Sequence, residues 1–325
     1  MTPQEKQYRS TVTRLGVAML IMLGCLLLYG TVMAILALVV GTDTVFGNVV
    51  TELVGGVMYA LSFVLPVPLF YVFSKGERTL PLSLRPTLPR HTLAFVFVAL
   101  ALISAASEVN YILLDLFGYF DGAATVTNAV PPLPYEYVLQ LFTVVIVPAF
   151  VEELLFRGLV LRNLLPFGRI TAVVISAVLF GLMHQNPQQL LYTTVAGLIL
   201  GFVYVYTESI WCCVLIHFCN NFVSMLHSLL LSSLPKAQAI AVLHLTELII
   251  YVVGAVGAVW LLCRHKKPAV DPLQTGAFEV DLPRGVYAAE LPVAPARCFK
   301  LFFSVPMLIF VIASVLLMYA TAILI

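Results

Sequence analysis

Three short patterns in this chain carry residues that could do chemistry together. The stretch VPAFVEELLFRGLVL, residues 147–161, sets Glu152, Glu153 and Arg157 in an apolar run. LFGLMHQN ends a second run with Phe180 and His184, and IWCCVLIHFCNNF carries His217, Asn220 and Asn221 in a third. A carboxylate and a histidine can bind a water and take its proton as general base. A second histidine with an Asn amide can donate hydrogen bonds to a developing oxyanion. The set describes amide hydrolysis by activated water in a desolvated cavity. Glu152, His184 and His217 can instead hold a zinc ion, which would bring the pKa of its water to about 7. G-x-S-x-G and H-E-x-x-H are both absent, and no Ser is placed with a His as a nucleophile pair would require.

Helical spacing separates the roles. Adjacent helical residues point about 100° apart, so Glu152 and Glu153 cannot serve one point equally. Glu153 precedes Arg157 by four residues, the favoured order for an ion pair along one helix. Glu153 is therefore expected to support Arg157, leaving Glu152 without a local counter-charge and free for chemistry. His217 and Asn221, also four apart, share a face. Pro148, one turn before Glu152, removes a helix hydrogen bond and is expected to kink the segment.

These residues need apolar elements to hold them, and the composition shows which. Of 325 residues, 61% are hydrophobic and 10% charged, against about 25% charged in a soluble domain. Mean hydropathy is +1.03. The chain reads as an all-α polytopic membrane bundle, with apolar segments at about 15–40, 51–73, 92–117, 136–165, 169–184, 188–206, 210–231, 240–263 and 300–324. About 20 apolar residues cross the hydrocarbon core, so about nine transmembrane helices are expected. The first run is too long for a cleaved signal peptide. No repeat recurs, which weighs against a transporter built on internal repeats, and a net charge of +1 gives no reason to expect nucleic acid. The six cysteines read as reduced packing residues. His227, His244, Glu108, Asp115, Glu208 and Glu247 fall near segment ends or lack a matching cluster.

Positive charge orients the chain. With the N-terminus in the cytoplasm, fifteen Lys and Arg fall inside and only Lys236 outside; with Arg157 in the membrane they account for all 17. The expected organisation is a cytoplasmic N-terminus (1–14), N-terminal helices (15–135), a core (136–231), one further helix (232–263), a flexible cytoplasmic linker (264–299) and a peripheral last helix (300–325). Depth ties the polar groups together. At 1.5 Å per residue, Glu152 and His184 lie roughly 20 and 22 Å from the cytoplasmic ends of their helices, and His217 and Asn221 roughly 10–17 Å. Ionisable groups inside a membrane mark functional sites, and a common depth is what one site would require.

Glu152-Glu153-x-x-x-Arg157, Phe180-x-x-x-His184 and His217-x-x-x-Asn221, in this order, resemble the CPBP family, the type II CAAX prenyl endopeptidases and the bacteriocin-processing or bacteriocin-immunity proteins also called Abi proteins. The resemblance covers about residues 136–231. It implies an intramembrane protease, of the kind called metalloproteases, in the plasma membrane. Glu152 and His184 would activate water, His217 and Asn221 would form the oxyanion hole, and Glu153 would pair with Arg157, with Phe180 in support. The implied partners are the lipid bilayer and a membrane-associated protein or peptide substrate, prenylated or not. The competing class is a non-catalytic scaffold or immunity protein, and after it a proton-coupled transporter.

Overall fold

The computed structural model describes residues 1–41, 44–75, 79–84, 88–89, 91–117, 133–264 and 293–324. Among these residues the fold is entirely helical, an all-α bundle. Eleven helices follow one another: α1 Pro3–Val39, α2 Val45–Val64, α3 Pro66–Phe73, α4 Thr92–Leu116, α5 Pro134–Phe167, α6 Arg169–Met183, α7 Pro187–Thr207, α8 Ile210–Ser233, α9 Lys236–Arg264, α10 Pro295–Phe302 and α11 Val305–Leu324. Eight segments are long and apolar enough to cross a membrane, α2 and α3 counting as one. The ninth expected crossing, α6, has only 15 residues, short of the about 20 that cross the hydrocarbon core. The protein is an integral membrane protein.

Three expected boundaries shift. α1 starts at Pro3, well before the expected span, because Thr2 and Glu5 form a reciprocal capping box. Its first turns are core: Tyr8 and Val12 are buried, and Tyr8 meets the Phe167 ring edge-on at 5.2 Å. The last expected helix is split. The amphipathic α10 lies against α1, with Arg297 donating to both carboxylate oxygens of Glu5 at 2.7 and 3.3 Å. The chain breaks at Phe303–Ser304, and Pro306 sits in the first turn of α11, where its missing N–H has no consequence. Most of the expected linker 264–299, from 265 to 292, lies outside the described residues.

Nor is the last helix peripheral. α11 packs along α1 and touches α6 and α7. A Cβ on Gly16 would come within 2.6 Å of the Met307 nitrogen, so only glycine allows this approach. The other long pairings are α6 with α7, α4 with α9 and α7, and α8 with α4 and α5. They leave α5 surrounded by α2, α6, α7 and α8, and from Val151 to Leu161 it is buried throughout.

α5 is not a regular helix. Its α-helical turn Val147–Glu153 is flanked by π-helical stretches, Leu141–Ile146 and Leu154–Leu161. Pro148 explains the first: it cannot donate to the preceding turn, and the ladder widens there instead of breaking. The expected kink is thus absorbed by π-helical turns around the Glu pair, a feature often found at functional sites.

Candidate active site

The polar side chains of the three patterns meet around Glu153 and Phe180. Glu153 and Arg157 are both 0% exposed. Arg157 Nη1 donates to Glu153 Oε1 at 2.7 Å, and Nη2 donates to the Gly197 carbonyl on α7 at 3.2 Å. That carbonyl is reachable because Gly197 lets α7 close on α6: a Cβ there would come within 2.9 Å of Ala177 Cα. The guanidinium also lies over the Phe180 ring, 4.7 Å from its centroid. The expected Glu153–Arg157 pair is present, and it has a third member. His217 Nδ1 lies 2.9 Å from the same Glu153 oxygen. A carboxylate only accepts, so Nδ1 carries the hydrogen. The other nitrogen, Nε2, faces Glu152 Oε2 at 4.0 Å.

Phe180 is the hub of this arrangement. Its ring contacts His184 at 5.1 Å, His217 at 5.9 Å and Phe156 at 5.1 Å, all edge-on. One aromatic thus fixes both histidines and covers the arginine, shielding the ion pair from water.

Glu152 stands apart, as spacing suggested. It is 3% exposed. Its Oε1 accepts a 2.6 Å hydrogen bond from the Tyr59 hydroxyl on α2, and its Oε2 has no protein partner. Tyr59 has no motif around it, and nothing in the sequence marks it: it reaches the site only because α2 packs on α5.

His184 caps the short α6. Its Nδ1 lies 2.8 Å from the Phe180 carbonyl, which can only accept, so the hydrogen is on Nδ1 and Nε2 is left as a base. The following Gln185 is left-handed, φ 51°, a conformation non-glycine residues seldom adopt. It lets the chain reverse within three residues before Asn186 caps α7, its side chain accepting from Gln188 N at 2.9 Å. Thr321 of α11 donates to the Gln185 carbonyl at 3.2 Å, which braces the turn that carries His184.

Asn221 donates to the Val144 carbonyl at 3.2 Å, in the first π-helical stretch of α5, and its Oδ1 accepts from Asn220 at 3.3 Å. An amide nitrogen has two hydrogens, so one remains to be offered elsewhere. Asn220 positions Asn221 and does not line the cavity.

A cavity of about 670 Å³ is lined by Glu152, His184, Tyr59, Tyr192, Asn221 and Glu52, among others. Its lining residues come from the halves of their helices remote from the N-terminus, ending at the exposed Ser224 and Ser228 of α8. Glu52, one residue into an expected span, belongs to none of the three patterns; it too is drawn to the site by tertiary packing. Zinc finds no ready ligand set. Among the described residues no three His, Cys, Asp or Glu side chains are grouped to hold a metal ion. His184 and His217 each hold Nδ1 in a protein hydrogen bond, which leaves Nε2 as the nitrogen that could ligate.

Residues 134–223 match the family model described as type II CAAX prenyl endopeptidase Rce1-like. These residues are therefore similar to that family. The match spans every residue of the three patterns. The chain is also similar to a Bacillus subtilis (strain 168) protein named "Putative membrane peptidase YdiL", 26% identical over 130 residues, which make up 40% of this chain and 52% of that protein. The chain thus spans about half the length of that relative. No solved structure matches.

Proposed function

We propose that this protein is an intramembrane endopeptidase that cuts a peptide bond of a membrane-associated protein or peptide, in CAAX-type or bacteriocin-type processing. The observation that carries the reading is the state of Glu152. It is a buried carboxylate in the wall of a cavity, with one oxygen held by Tyr59 and the other uncommitted. Such a group can take a proton from a water that attacks the substrate carbonyl, and later return it to the leaving amine. His184, in the same wall with a basic Nε2, orients that water. Asn221 offers its second amide hydrogen to the oxyanion, where fixed donors count most. His217 Nε2 carries a hydrogen only when the ring is charged, since Nδ1 already donates to Glu153. Its role as oxyanion donor therefore requires the imidazolium, which lies between Glu153, shared with Arg157, and Glu152 Oε2 at 4.0 Å.

The Lys and Arg distribution supports a plasma-membrane protein with its N-terminus in the cytoplasm. The cavity, set at the other end of the bundle, would then take substrate from the outer side. The decisive experiment is peptide cleavage by the purified protein in lipid, with Glu152→Gln as the control. Turnover lost in a folded Glu152→Gln variant supports a protease, and the same variant traps substrates in native membranes. Turnover that survives in Glu152→Gln, or no cleaved peptide from native membranes, favours a scaffold or immunity protein.

A further inference from the structure

The cavity wall carries two carboxylates and no Lys or Arg. Glu152 is at its floor; Glu52, on α2, is nearer the exposed end. Glu52 Oε2 accepts from the Thr143 hydroxyl at 3.0 Å, a hydroxyl it shares with the Leu139 carbonyl at 3.1 Å. A shared neutral donor orients the carboxylate without balancing its charge. Among the described residues no Lys or Arg lines the cavity beside Glu52. Arg157 is sealed behind Glu153 at 0% exposure, and Lys236, at the start of α9, does not line the cavity. Residues 42–43 and 118–132 contain no Lys or Arg. The second, deeper carboxylate is nine-tenths buried, lines the same space, and has an oxygen without a protein partner. His217 Nε2, 4.0 Å from Glu152 Oε2, can answer the deeper charge, but Glu52 has only a neutral hydroxyl against it, so the part of the cavity around Glu52 favours an incoming positive charge and disfavours a negative one.

We propose that Glu52 is a specificity-determining residue: the cavity takes an internal segment of polypeptide with a Lys or Arg side chain beside the bond to be cut, and rejects a segment that ends there in a free carboxylate, which decides against CAAX-type processing. The inference rests on Glu152 marking the point of cleavage. A substrate cut three residues from its C-terminus would place its terminal carboxylate within roughly 10 Å of Glu152, at about 3.3 Å per extended residue. Among the described residues no Lys or Arg lines the cavity to receive it. An internal basic residue in the same place would instead meet Glu52.

Binding tests this without requiring turnover. The probe is a lipid-tethered peptide with an amidated C-terminus and one internal Lys. It is compared with a twin carrying Gln for Lys, and with a twin ending in a free carboxylate three residues after the Lys. Affinities are measured on the full-length Glu152→Gln protein in nanodiscs. The Lys peptide should bind about tenfold more tightly than the Gln twin, between the limits for exposed and buried ion pairs. The free-carboxylate twin should bind more weakly than the amide. Adding Glu52→Gln should abolish the Lys preference, and adding Glu52→Lys should reverse it. Equal affinities for the Lys and Gln peptides overturn the proposal, as does a preference that survives Glu52→Gln, or no binding of any probe. If Glu52→Gln does not fold, the Lys, Gln and carboxylate comparison with Glu52 in place still decides. Cleavage of the Lys peptide by the wild-type protein is a separate readout. Binding preference without cleavage would refute the protease reading and leave the charge selectivity standing.

Discussion

Replacing Glu153 with Gln removes one negative charge from a site that water does not reach. Gln can still accept at Oε1, so the hydrogen bonds from Arg157 Nη1 and His217 Nδ1, 2.7 and 2.9 Å in the native protein, are geometrically preserved. The counter-charge is not. Arg157 is 0% exposed, and its remaining contacts are the Gly197 carbonyl at 3.2 Å and the Phe180 ring face at 4.7 Å. Neither neutralises a full charge, and the Arg157 Nε already lacks a partner. Removing one partner of a buried pair costs about 3–5 kcal/mol. At 1.4 kcal/mol per decade, that lowers the folding equilibrium by roughly a hundredfold to several thousandfold. The assay is thermal unfolding of purified protein in one detergent. Glu153→Gln should melt well below the wild type. Glu152→Gln should melt close to it, because Gln still accepts from Tyr59 and Arg157 keeps its Glu153 partner. Adding Arg157→Met to Glu153→Gln removes the stranded charge and should restore part of the loss. A Glu153→Gln protein that melts with the wild type, or a double variant less stable than the single one, refutes the reasoning.

Tyr59→Phe should lower kcat by roughly tenfold with little change in KM and in melting, because a hydrogen bond to the reacting carboxylate is lost; steady-state kinetics beside a melting curve checks it. Asn221→Ala should lose about 10²–10³ in kcat, as for other oxyanion donors, and Asn220→Ala less, because Asn220 acts through Asn221; equal losses, or an effect of Asn221→Ala confined to KM, would make Asn221 packing only. Reporters fused at residues 85 and 275 should be cytoplasmic and one at 125 external; an external reporter at 85 reverses the orientation. Chelation should leave most of the activity in place, because among the described residues no three His, Cys, Asp or Glu side chains are grouped to hold a metal ion; one firmly bound zinc per chain, with activity lost on chelation and restored by zinc, would overturn this.

Much of this site was legible in the chain because its constraints are local or are set by the bilayer. Intramembrane charges are costly enough that Glu152, Glu153 and Arg157 stand out in any reading. The i,i+4 rule joined Glu153 to Arg157, and the short apolar run before His184 put that residue at a helix end. Apolar run lengths marked the long helices. What failed was local too. The capping box that starts α1 at Pro3 was present in the sequence, yet hydropathy drew the boundary at the first long apolar run.

Only the tertiary structure could supply the contacts made across helices. Tyr59 holds Glu152 because α2 packs on α5 across 93 residues of sequence, and no period or spacing encodes that. His217 shares the Glu153 oxygen with Arg157, so residues assigned by spacing to separate tasks belong to one charged network. Phe180 has the sequence of an ordinary core aromatic, but its ring touches both histidines and the arginine. Thr321, in a helix that reads as peripheral, braces the turn beside His184. Sequence determines which groups each helix must carry and at what depth, because helical rise and the bilayer fix both. Which oxygen faces which nitrogen depends on how the helices rotate and close on one another, and that is decided by side-chain packing and small residues such as Gly197, far apart in the chain.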